Sequence, residues 1–202
     1  MNRKKLAPAI SVYENVFDGI DFVKAVEEET NEDFPYLSWY DAITGTNIQS
    51  NYRTSRNCEI SKLMGEVKIP RLKPLIASML KVIGEIDKCV WDYRDEYTLE
   101  LNSNQGFSLL KYGGGGQYRT HVDHSSVGVN GGRDFCRILS LVAYVNDDYT
   151  GGELEFPVYD VKVKPTAGSV VLFPSNFPFE HMAHPVGVSD DSVKYSIVTW
   201  FV

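Results

Sequence analysis

The chain has 202 residues and a mass of 22.8 kDa, a size at which a single domain folds without disulfides or a structural metal. It is 43% hydrophobic and 23% charged, which excludes a disordered chain, and no run of about 18 apolar residues predicts a membrane span. The net charge is −7. An acidic chain without a basic stripe is a poor nucleic-acid binder, because phosphate neutralisation supplies most of that affinity.

Cysteine usage and the first residues together indicate a cytoplasmic protein. Cys58, Cys89 and Cys136 are an odd number without a C-x-x-C pair, so neither a disulfide framework nor a cysteine-rich zinc site is expected. The first ten residues are basic, but the apolar segment of a secretion signal does not follow them.

In chain order, the first half reads as mixed strand and helix. Residues 11–17 favour a short strand, and a helix is predicted from Asp18 to the acidic run at 27–29. The polar stretch Thr44 to Asn57 is typical of a loop. The clearest helix is predicted from Pro70 to Ile86, because its apolar residues recur at helical spacing and prolines suit a first turn.

From about Glu96 the sequence consists of short apolar runs separated by glycine, proline and asparagine. These runs predict strands at residues 106–112, 117–121, 137–145, 152–156, 161–164, 169–173 and 194–202. Short strands at near-regular spacing favour a sandwich or closed double-sheet barrel over alternating strand and helix units. We therefore predict one α+β domain spanning 1–202, with helical and strand support in 1–95 and an antiparallel jelly-roll core (double-stranded β-helix) in 96–202.

The four histidines fall in two clusters, at 121 and 124 and at 181 and 184. His121 and Asp123 flank one residue after a predicted strand, so both side chains point to the same side of an extended segment. They are thus able to aim one nitrogen and one carboxylate oxygen at a common point. Taken alone, such a pair is more often a surface turn that holds a local hydrogen bond between the histidine and the aspartate.

The second histidine cluster strengthens the case for a metal. Two histidines and one carboxylate from strands of one barrel form the facial triad of non-haem Fe(II) oxygenases, which leaves coordination positions open. The same ligand count suits catalytic zinc, but the H-E-x-x-H helix of zinc proteases is absent from the sequence. Adding His181 to His121 and Asp123 therefore favours iron, with zinc as the alternative.

Lys194 begins the last predicted strand, among mostly apolar neighbours. A 2-oxoglutarate enzyme needs a cation at the far end of its pocket for the distal carboxylate, and a partly buried lysine meets that need. The alternative is a solvated lysine at the start of a strand, which is the usual position of this residue type.

Several segments of the second half resemble the Fe(II)/2-oxoglutarate-dependent dioxygenases of the prolyl 4-hydroxylase type, from about Phe107 to the end of the chain. The matching segments, in family order, are residues 110–112, 116–118, 121–123, 144–147, 151–157, 165–168, 172–173, 181–186 and 194–200. Upstream, the Arg-Thr-Ser sequence at 53–55 is similar to part of the loop that covers the peptide in prolyl 4-hydroxylases.

The resemblance implies a role for each matching residue. His121, Asp123 and His181 would bind Fe(II), and Lys194 would pair with the distal carboxylate of 2-oxoglutarate. These four residues are the predicted catalytic set, and lysine at the last position is similar to the collagen-type branch of the family.

Two tyrosines align with tyrosines of the co-substrate pocket, namely Tyr112 and Tyr144. For each, a core aromatic at a strand end is the alternative. Arg53, Thr54 and Ser55 would contact the substrate. Dioxygen is implied as the second co-substrate, and ascorbate as a support for activity.

The remaining two histidines are not expected to bind the metal. His184 directly precedes Pro185, whereas the family places its ligand four residues before that proline, which selects His181. Residues three apart on a strand face opposite sides, so His181 and His184 do not serve one metal without a bulge. His124 diverges from Asp123 in the same way.

The implied activity is hydroxylation of prolyl residues at the 4-position in a peptide or protein, with release of succinate and CO2. One alternative is the same chemistry on a free amino acid, another side chain or a small metabolite, since fold and triad are shared across these. A zinc-binding or non-catalytic jelly roll is the alternative from another class. A proline-containing peptide or protein is the expected partner, without nucleic acid or membrane.

Overall fold

The computed structural model describes residues 2–31, 37–42, 51–124, 136–188 and 192–202. Its strands are β1 (Asn2–Ala7), β2 (Ile10–Glu14), β3 (Tyr40–Asp41), β4 (Arg56–Cys58), β5 (Ser108–Tyr112), β6 (Tyr118–His121), β7 (Leu139–Tyr144), β8 (Leu154–Phe156), β9 (Val161–Val163), β10 (Ser169–Pro174), β11 (His181–Ala183) and β12 (Lys194–Phe201). The α-helices are α1 (Ile20–Asn31) and α2 (Lys73–Tyr97), and 3₁₀ turns occur at Ile60–Glu66, Pro70–Leu72 and Pro157–Tyr159.

The strands form two antiparallel sheets in the described ranges. The large sheet has eight strands in the order β1-β2-β10-β7-β12-β5-β4-β3, and the small sheet has four in the order β6-β11-β8-β9. This arrangement confirms the predicted fold class, an α+β fold with a double-stranded β-helix (jelly-roll) core buttressed by N-terminal helices.

The large sheet has one face toward the helices and one toward the small sheet, because side chains alternate along each strand. On β5, Leu109 belongs to the core beneath the helices, whereas Leu110 and Tyr112 face the barrel interior. On β12, Ile197 packs toward the helices and Val198 into the barrel. Chemistry-bearing residues at the interior positions of β5, β7 and β12 therefore meet in one cavity.

The first half of the chain contributes more to the sheets than the sequence predicts. β1 was not predicted, because its basic residues mask the strand pattern, and charged side chains are typical of an edge strand. The strand predicted at 11–17 is observed as β2 and pairs with both β1 and β10. Strands from the two predicted parts of the chain thus share one sheet.

Both helices are displaced or extended relative to the prediction. α1 begins two residues after Asp18, at Ile20. α2 continues beyond Ile86 to Tyr97, because Cys89, Val90 and Tyr93 extend its buried stripe. Within the described ranges, neither helix combines the length and apolarity that crossing a membrane requires.

The loop predicted from Thr44 to Asn57 is partly wrong. Residues 44–50 lie outside the described residues. From Arg53 onward the backbone is paired: Arg53 bridges Tyr118 of β6, and residues 56 and 57 form β4, which pairs with β3 and β5. The polar composition of this stretch gave no indication of β4, which lies near the edge of the large sheet.

Candidate active site

His121 and His181 lie opposite each other on neighbouring strands of the small sheet. β6 ends at His121, β11 begins at His181, and the two residues are direct partners in the antiparallel register. Asp123 follows two residues after His121, on the same side of the extended backbone. Two adjacent strand ends thus bring together three ligand-type side chains from distant parts of the sequence.

The three side chains converge on one point. The His121 Nε2 lies 3.5 Å from Asp123 Oδ1, and the His181 Nε2 lies 3.6 Å from Asp123 Oδ2. One potential ligand atom from each residue falls within 4.8 Å of the others, a grouping that suits a metal ion. Two imidazoles and one carboxylate are the donor set of a non-haem Fe(II) site.

Backbone carbonyls fix the tautomer of both histidines. The Nδ1 of His121 lies 2.7 Å from the Arg119 carbonyl oxygen, and that of His181 lies 3.1 Å from the Phe179 oxygen. A carbonyl only accepts hydrogen bonds, so Nδ1 carries the proton and Nε2 presents its lone pair toward Asp123. Burial also lowers the pKa of His181 to about 4, which keeps the ring neutral and able to ligate at neutral pH.

A buried serine hydroxyl on the large sheet orients the Asp123 carboxylate. Ser140 Oγ on β7 donates a hydrogen bond of 2.8 Å to Asp123 Oδ2 and also contacts Ser175 Oγ at 2.8 Å. Burial alone would raise the pKa of Asp123. His181, His121 and a hydrogen bond from the Trp200 side chain outweigh burial and hold the pKa of this carboxyl well below the usual range. Asp123 is therefore an anion with a fixed orientation.

Replacing Ser140 with alanine should weaken metal binding about 10- to 100-fold, because a ligating carboxylate that loses its outer hydrogen bond loses its orientation. Isothermal titration with Mn(II), a redox-stable surrogate for Fe(II), measures this affinity. Ser175→Ala is the matched control, since Ser175 contacts Ser140 rather than Asp123 and should change the affinity less. Unchanged Mn(II) affinity in Ser140→Ala would show that the hydroxyl does not position the ligand.

The other two histidines have separate partners. His184 lies beyond the end of β11 and pairs through Nε2 with Glu155 of β8. The Nδ1 of His124 lies 3.3 Å from the Arg137 carbonyl oxygen. Neither belongs to the group of potential metal ligands found among the described residues.

The large sheet supplies the opposite wall of the same cavity, which we call the barrel pocket. Its polar and aromatic lining consists of Arg53, Tyr112, Tyr118, His121, Asp123, Tyr144, His181, Lys194, Ser196 and Trp200. Lys194 at the start of β12 is directly opposite Tyr112 of β5 in the register. The pocket therefore joins the histidine–aspartate cluster to the predicted cation.

Lys194 is buried, with 2% of its surface exposed, which excludes the solvated alternative. Its ammonium donates a 2.7 Å hydrogen bond to the Gly152 carbonyl oxygen and lies 5.1 Å from the ring centroids of both Tyr112 and Tyr144. Burial lowers the pKa of Lys194 to about 7, against a smaller raising effect of Glu153. An ammonium retains donor capacity beyond one carbonyl, which suits an incoming anion.

A buried tyrosine hydroxyl without a partner also indicates that a ligand binds beside Lys194. The hydroxyl of Tyr144 is buried without a hydrogen-bond partner in the described part of the chain, and so is that of Tyr149. Buried polar groups are nearly always satisfied, so an orphan hydroxyl beside a buried cation marks a place where a ligand binds. A carboxylate fits this end of the barrel pocket, because it accepts from both a lysine and a tyrosine.

Two residues of the segment 53–55 contact a tyrosine that lines the barrel pocket. Ser55 and Arg53 hydrogen-bond to the hydroxyl of Tyr112, whose pKa is raised by burial. Thr54 instead pairs with Gln117 through backbone and hydroxyl, which fixes the segment against β6. Arg53 and Ser55 are thus linked to the predicted co-substrate tyrosine, and Thr54 lies outside the barrel pocket.

Sequence reasoning missed two aromatic residues of the pocket. Tyr118 stacks on His121 with ring centroids 3.5 Å apart, and Trp200 lines the pocket and hydrogen-bonds to Asp123. Tyr118 stands three residues before a ligand, and Trp200 is at an interior position of β12, as is Lys194. Alternation along β12 was the signal that indicated Trp200.

The second half of the chain matches a known family. Residues 107–202 match the 2OG-Fe(II) oxygenase superfamily, and this part of the chain contains all three members of the potential metal site. Members of this superfamily use Fe(II), 2-oxoglutarate and dioxygen. No curated protein matches the sequence.

Solved structures with the same fold include prolyl hydroxylases. A Trichoplax adhaerens prolyl hydroxylase in complex with a hypoxia inducible factor peptide fragment has a TM-score of 0.68 at 16% identity, covering 96% of this chain and 83% of that one. A Pseudomonas putida prolyl-4-hydroxylase has a TM-score of 0.60 at 20% identity, covering 96% and 92%. The viral collagen prolyl hydroxylase of Paramecium Bursaria Chlorella virus-1, in a 2OG complex, has a TM-score of 0.59 at 15% identity, covering 96% and 95%.

The family match, together with the potential metal site, supports a 2-oxoglutarate-dependent dioxygenase domain in residues 107–202. The solved structures show that the chain shares the fold of prolyl hydroxylases.

Proposed function

We propose that the protein hydroxylates prolyl residues of a peptide or protein at the 4-position, with release of succinate and CO2. The observation that carries this proposal is the barrel pocket, which joins a His–Asp–His cluster to a buried lysine in a fold shared with prolyl hydroxylases. One of those relatives is a complex with a peptide, which supports a peptide substrate.

The metal ligands in this proposal are His121, Asp123 and His181. Their donor atoms fit Fe(II), because two neutral imidazoles and one anionic carboxylate present their lone pairs to a common centre. With 2-oxoglutarate and dioxygen, the bound iron supplies the oxidising chemistry. The protein itself keeps the ligands oriented through Arg119, Phe179 and Ser140.

Lys194 would bind the distal carboxylate of 2-oxoglutarate, with Tyr112 and Tyr144 at its sides. Both hydroxyls are buried, and that of Tyr144 has room for an acceptor. Arg53, Thr54 and Ser55 would meet the substrate at the open side of the pocket. Arg53 has the strongest support among them, because it lines the barrel pocket and its guanidinium lies 4.7 Å from the Tyr118 ring centroid.

The affinity for 2-oxoglutarate should fall as the pH rises above 7. With a pKa of about 7, Lys194 is cationic below this pH and loses its proton above it, so binding a carboxylate at higher pH requires proton uptake. The limiting slope is about tenfold in affinity per pH unit. Isothermal titration of 2-oxoglutarate against the Mn(II)-loaded protein at several pH values measures it.

Lys194→Arg is the control for this titration, because a guanidinium stays charged and should flatten the profile above pH 7. Protonation of His181 does not contribute in this range, since its pKa is about 4. An identical pH profile in the wild type and in Lys194→Arg would contradict the assignment of the slope to Lys194.

The function is tested by incubating the protein with Fe(II), ascorbate, 2-oxoglutarate and a panel of proline-containing peptides. We expect succinate release that rises with some of these peptides, and a gain of one oxygen on proline in their mass spectra. Amino-acid analysis for 4-hydroxyproline then tests the position. Succinate release without any peptide hydroxylation would favour the same chemistry on another substrate and count against the prolyl proposal.

A reducing, cytoplasmic setting is part of the proposal. None of the three cysteines, all of which lie in described segments, is in a disulfide, and Cys58 and Cys89 are buried. We also propose that ascorbate supports activity by keeping the iron reduced. Comparing turnover with ascorbate and with a thiol reductant tests that role.

A further inference from the structure

A second cavity adjoins the barrel pocket. This outer groove is lined mainly by Asp41, Arg53, Thr54, Ser55, Arg56 and Lys111. Arg53 lines both cavities, so the outer groove begins where the barrel pocket opens. A substrate whose target residue is in the barrel pocket would extend past Arg53 into this groove.

Two guanidinium groups of the groove contact neutral partners. Arg53 donates hydrogen bonds to Ser55 Oγ at 3.2 Å and Asn57 Oδ1 at 3.3 Å, and Arg56 donates to the Trp39 carbonyl oxygen at 3.2 Å. Among the described residues, neither arginine lies within ion-pair distance of a carboxylate. Arginine forms two parallel hydrogen bonds with a carboxylate when one is supplied.

The strand register places Arg56 between one acidic and one basic residue. It is directly opposite Lys111 on β5 and Asp41 on β3. Lys111 is already neutralised by Glu27 of α1, at 2.9 Å. The two arginines, Arg53 and Arg56, outnumber the one carboxylate in the described lining, that of Asp41, so the groove is cationic although the whole chain carries a net charge of −7.

A third arginine flanks the barrel pocket near the other side of the triad. The guanidinium of Arg137 lies 3.8 Å from the ring centroid of Trp200 and donates to the Asp123 carbonyl oxygen at 3.2 Å. Arg53 and Arg137 thus each lie over an aromatic ring that lines the pocket.

We propose that the substrate is an extended peptide with acidic side chains flanking the target residue, at least one of which binds Arg53 and Arg56 in the outer groove. The inference rests on the proposed function and adds the substrate class. A peptide with a few acidic side chains is favoured over a nucleic acid because the chain, with its net charge of −7, repels polyanions.

The test compares three peptides of identical length with one central proline. One carries glutamates on both sides of the proline, the second glutamines at the same positions, and the third lysines. We expect kcat/KM for hydroxylation to be about fivefold higher for the glutamate peptide than for the glutamine peptide, mainly through KM, and lowest for the lysine peptide. The glutamate advantage should shrink at high salt, because exposed charges are screened.

Arg56→Glu tests the groove itself, since Arg56 contacts neither the metal ligands nor Lys194. The variant should lose the preference for the glutamate peptide and gain about threefold on the lysine peptide. Lys81→Glu makes the same charge change on an exposed residue of α2 outside the groove and should keep the wild-type order. Fluorescence anisotropy of labelled peptides, on protein loaded with Mn(II) and 2-oxoglutarate, measures the same order without turnover.

The outcomes separate the two proposals. Equal hydroxylation of all three peptides overturns the acidic substrate class and leaves prolyl hydroxylation intact. Absence of hydroxylation, together with equal anisotropy for the three peptides, overturns both. Stimulation of 2-oxoglutarate turnover by an oligonucleotide, without a preference among the peptides, shows that the groove takes phosphates and likewise overturns the proposal.

Discussion

Replacing His181 with alanine is expected to abolish the weak visible absorption band that Fe(II) and 2-oxoglutarate give together without oxygen. The imidazole is one of the three potential metal ligands grouped in the described part of the chain, and it lies directly opposite His121 in the strand register. The measurement is an anaerobic titration of the apoprotein followed by absorption spectroscopy. Hydroxylation should fall below detection in the same variant.

His184→Ala is the matched control, because it removes the same side chain three residues away. His184 contacts Glu155 rather than the ligand cluster, so the band should survive. A band that survives in His181→Ala and vanishes in His184→Ala would overturn the choice of ligand. Thermal unfolding of both variants shows whether a loss reflects the site or the fold.

Replacing Lys194 with methionine is expected to raise the dissociation constant of 2-oxoglutarate at least about 30-fold. Truncating one partner of a buried charge pair costs about 2 kcal/mol or more, because the other charge is left without a partner. Methionine retains the length of the side chain, so the packing against Tyr112 and Tyr144 changes little. Isothermal titration at about pH 6, below the pKa of about 7 and therefore where most of the wild-type lysine is protonated, gives the comparison.

The binding of Mn(II) alone should be unchanged in Lys194→Met, since Lys194 lies on the large sheet and the ligands belong to the small one. Lys194→Arg should recover part of the affinity, because it restores the charge with a different shape. If Lys194→Met binds 2-oxoglutarate as tightly as the wild type, the carboxylate binds elsewhere in the pocket.

The ligand cluster was predictable because its geometry is local. Asp123 follows His121 at a spacing of two, which places both side chains on one side of an extended chain whatever the rest of the fold does. The same parity argument set His184 apart from His181. Lys194 was predictable for a related reason, since a charged residue among apolar neighbours at a strand start is costly unless it has a partner.

The surroundings of the cluster could not be predicted, because they depend on which strands become neighbours. Ser140 contacts Asp123 because β7 of the large sheet lies beside the residues that follow β6. Sequence periodicity does not indicate which strands will lie side by side. The cross-strand register of His121 and His181 likewise requires the order of the small sheet. The basic β1 strand was missed because edge strands tolerate charge on both faces.

The predicted metal ligands lie at the small sheet and Lys194 lies on the large one, so binding of the co-substrate and stability of the barrel are coupled. A dicarboxylate that reached from a metal at the histidine–aspartate cluster to Lys194 would connect the two sheets. Any ligand that binds only the folded state stabilises it by mass action. The free energy of unfolding of the metal-loaded protein should therefore rise with the concentration of 2-oxoglutarate.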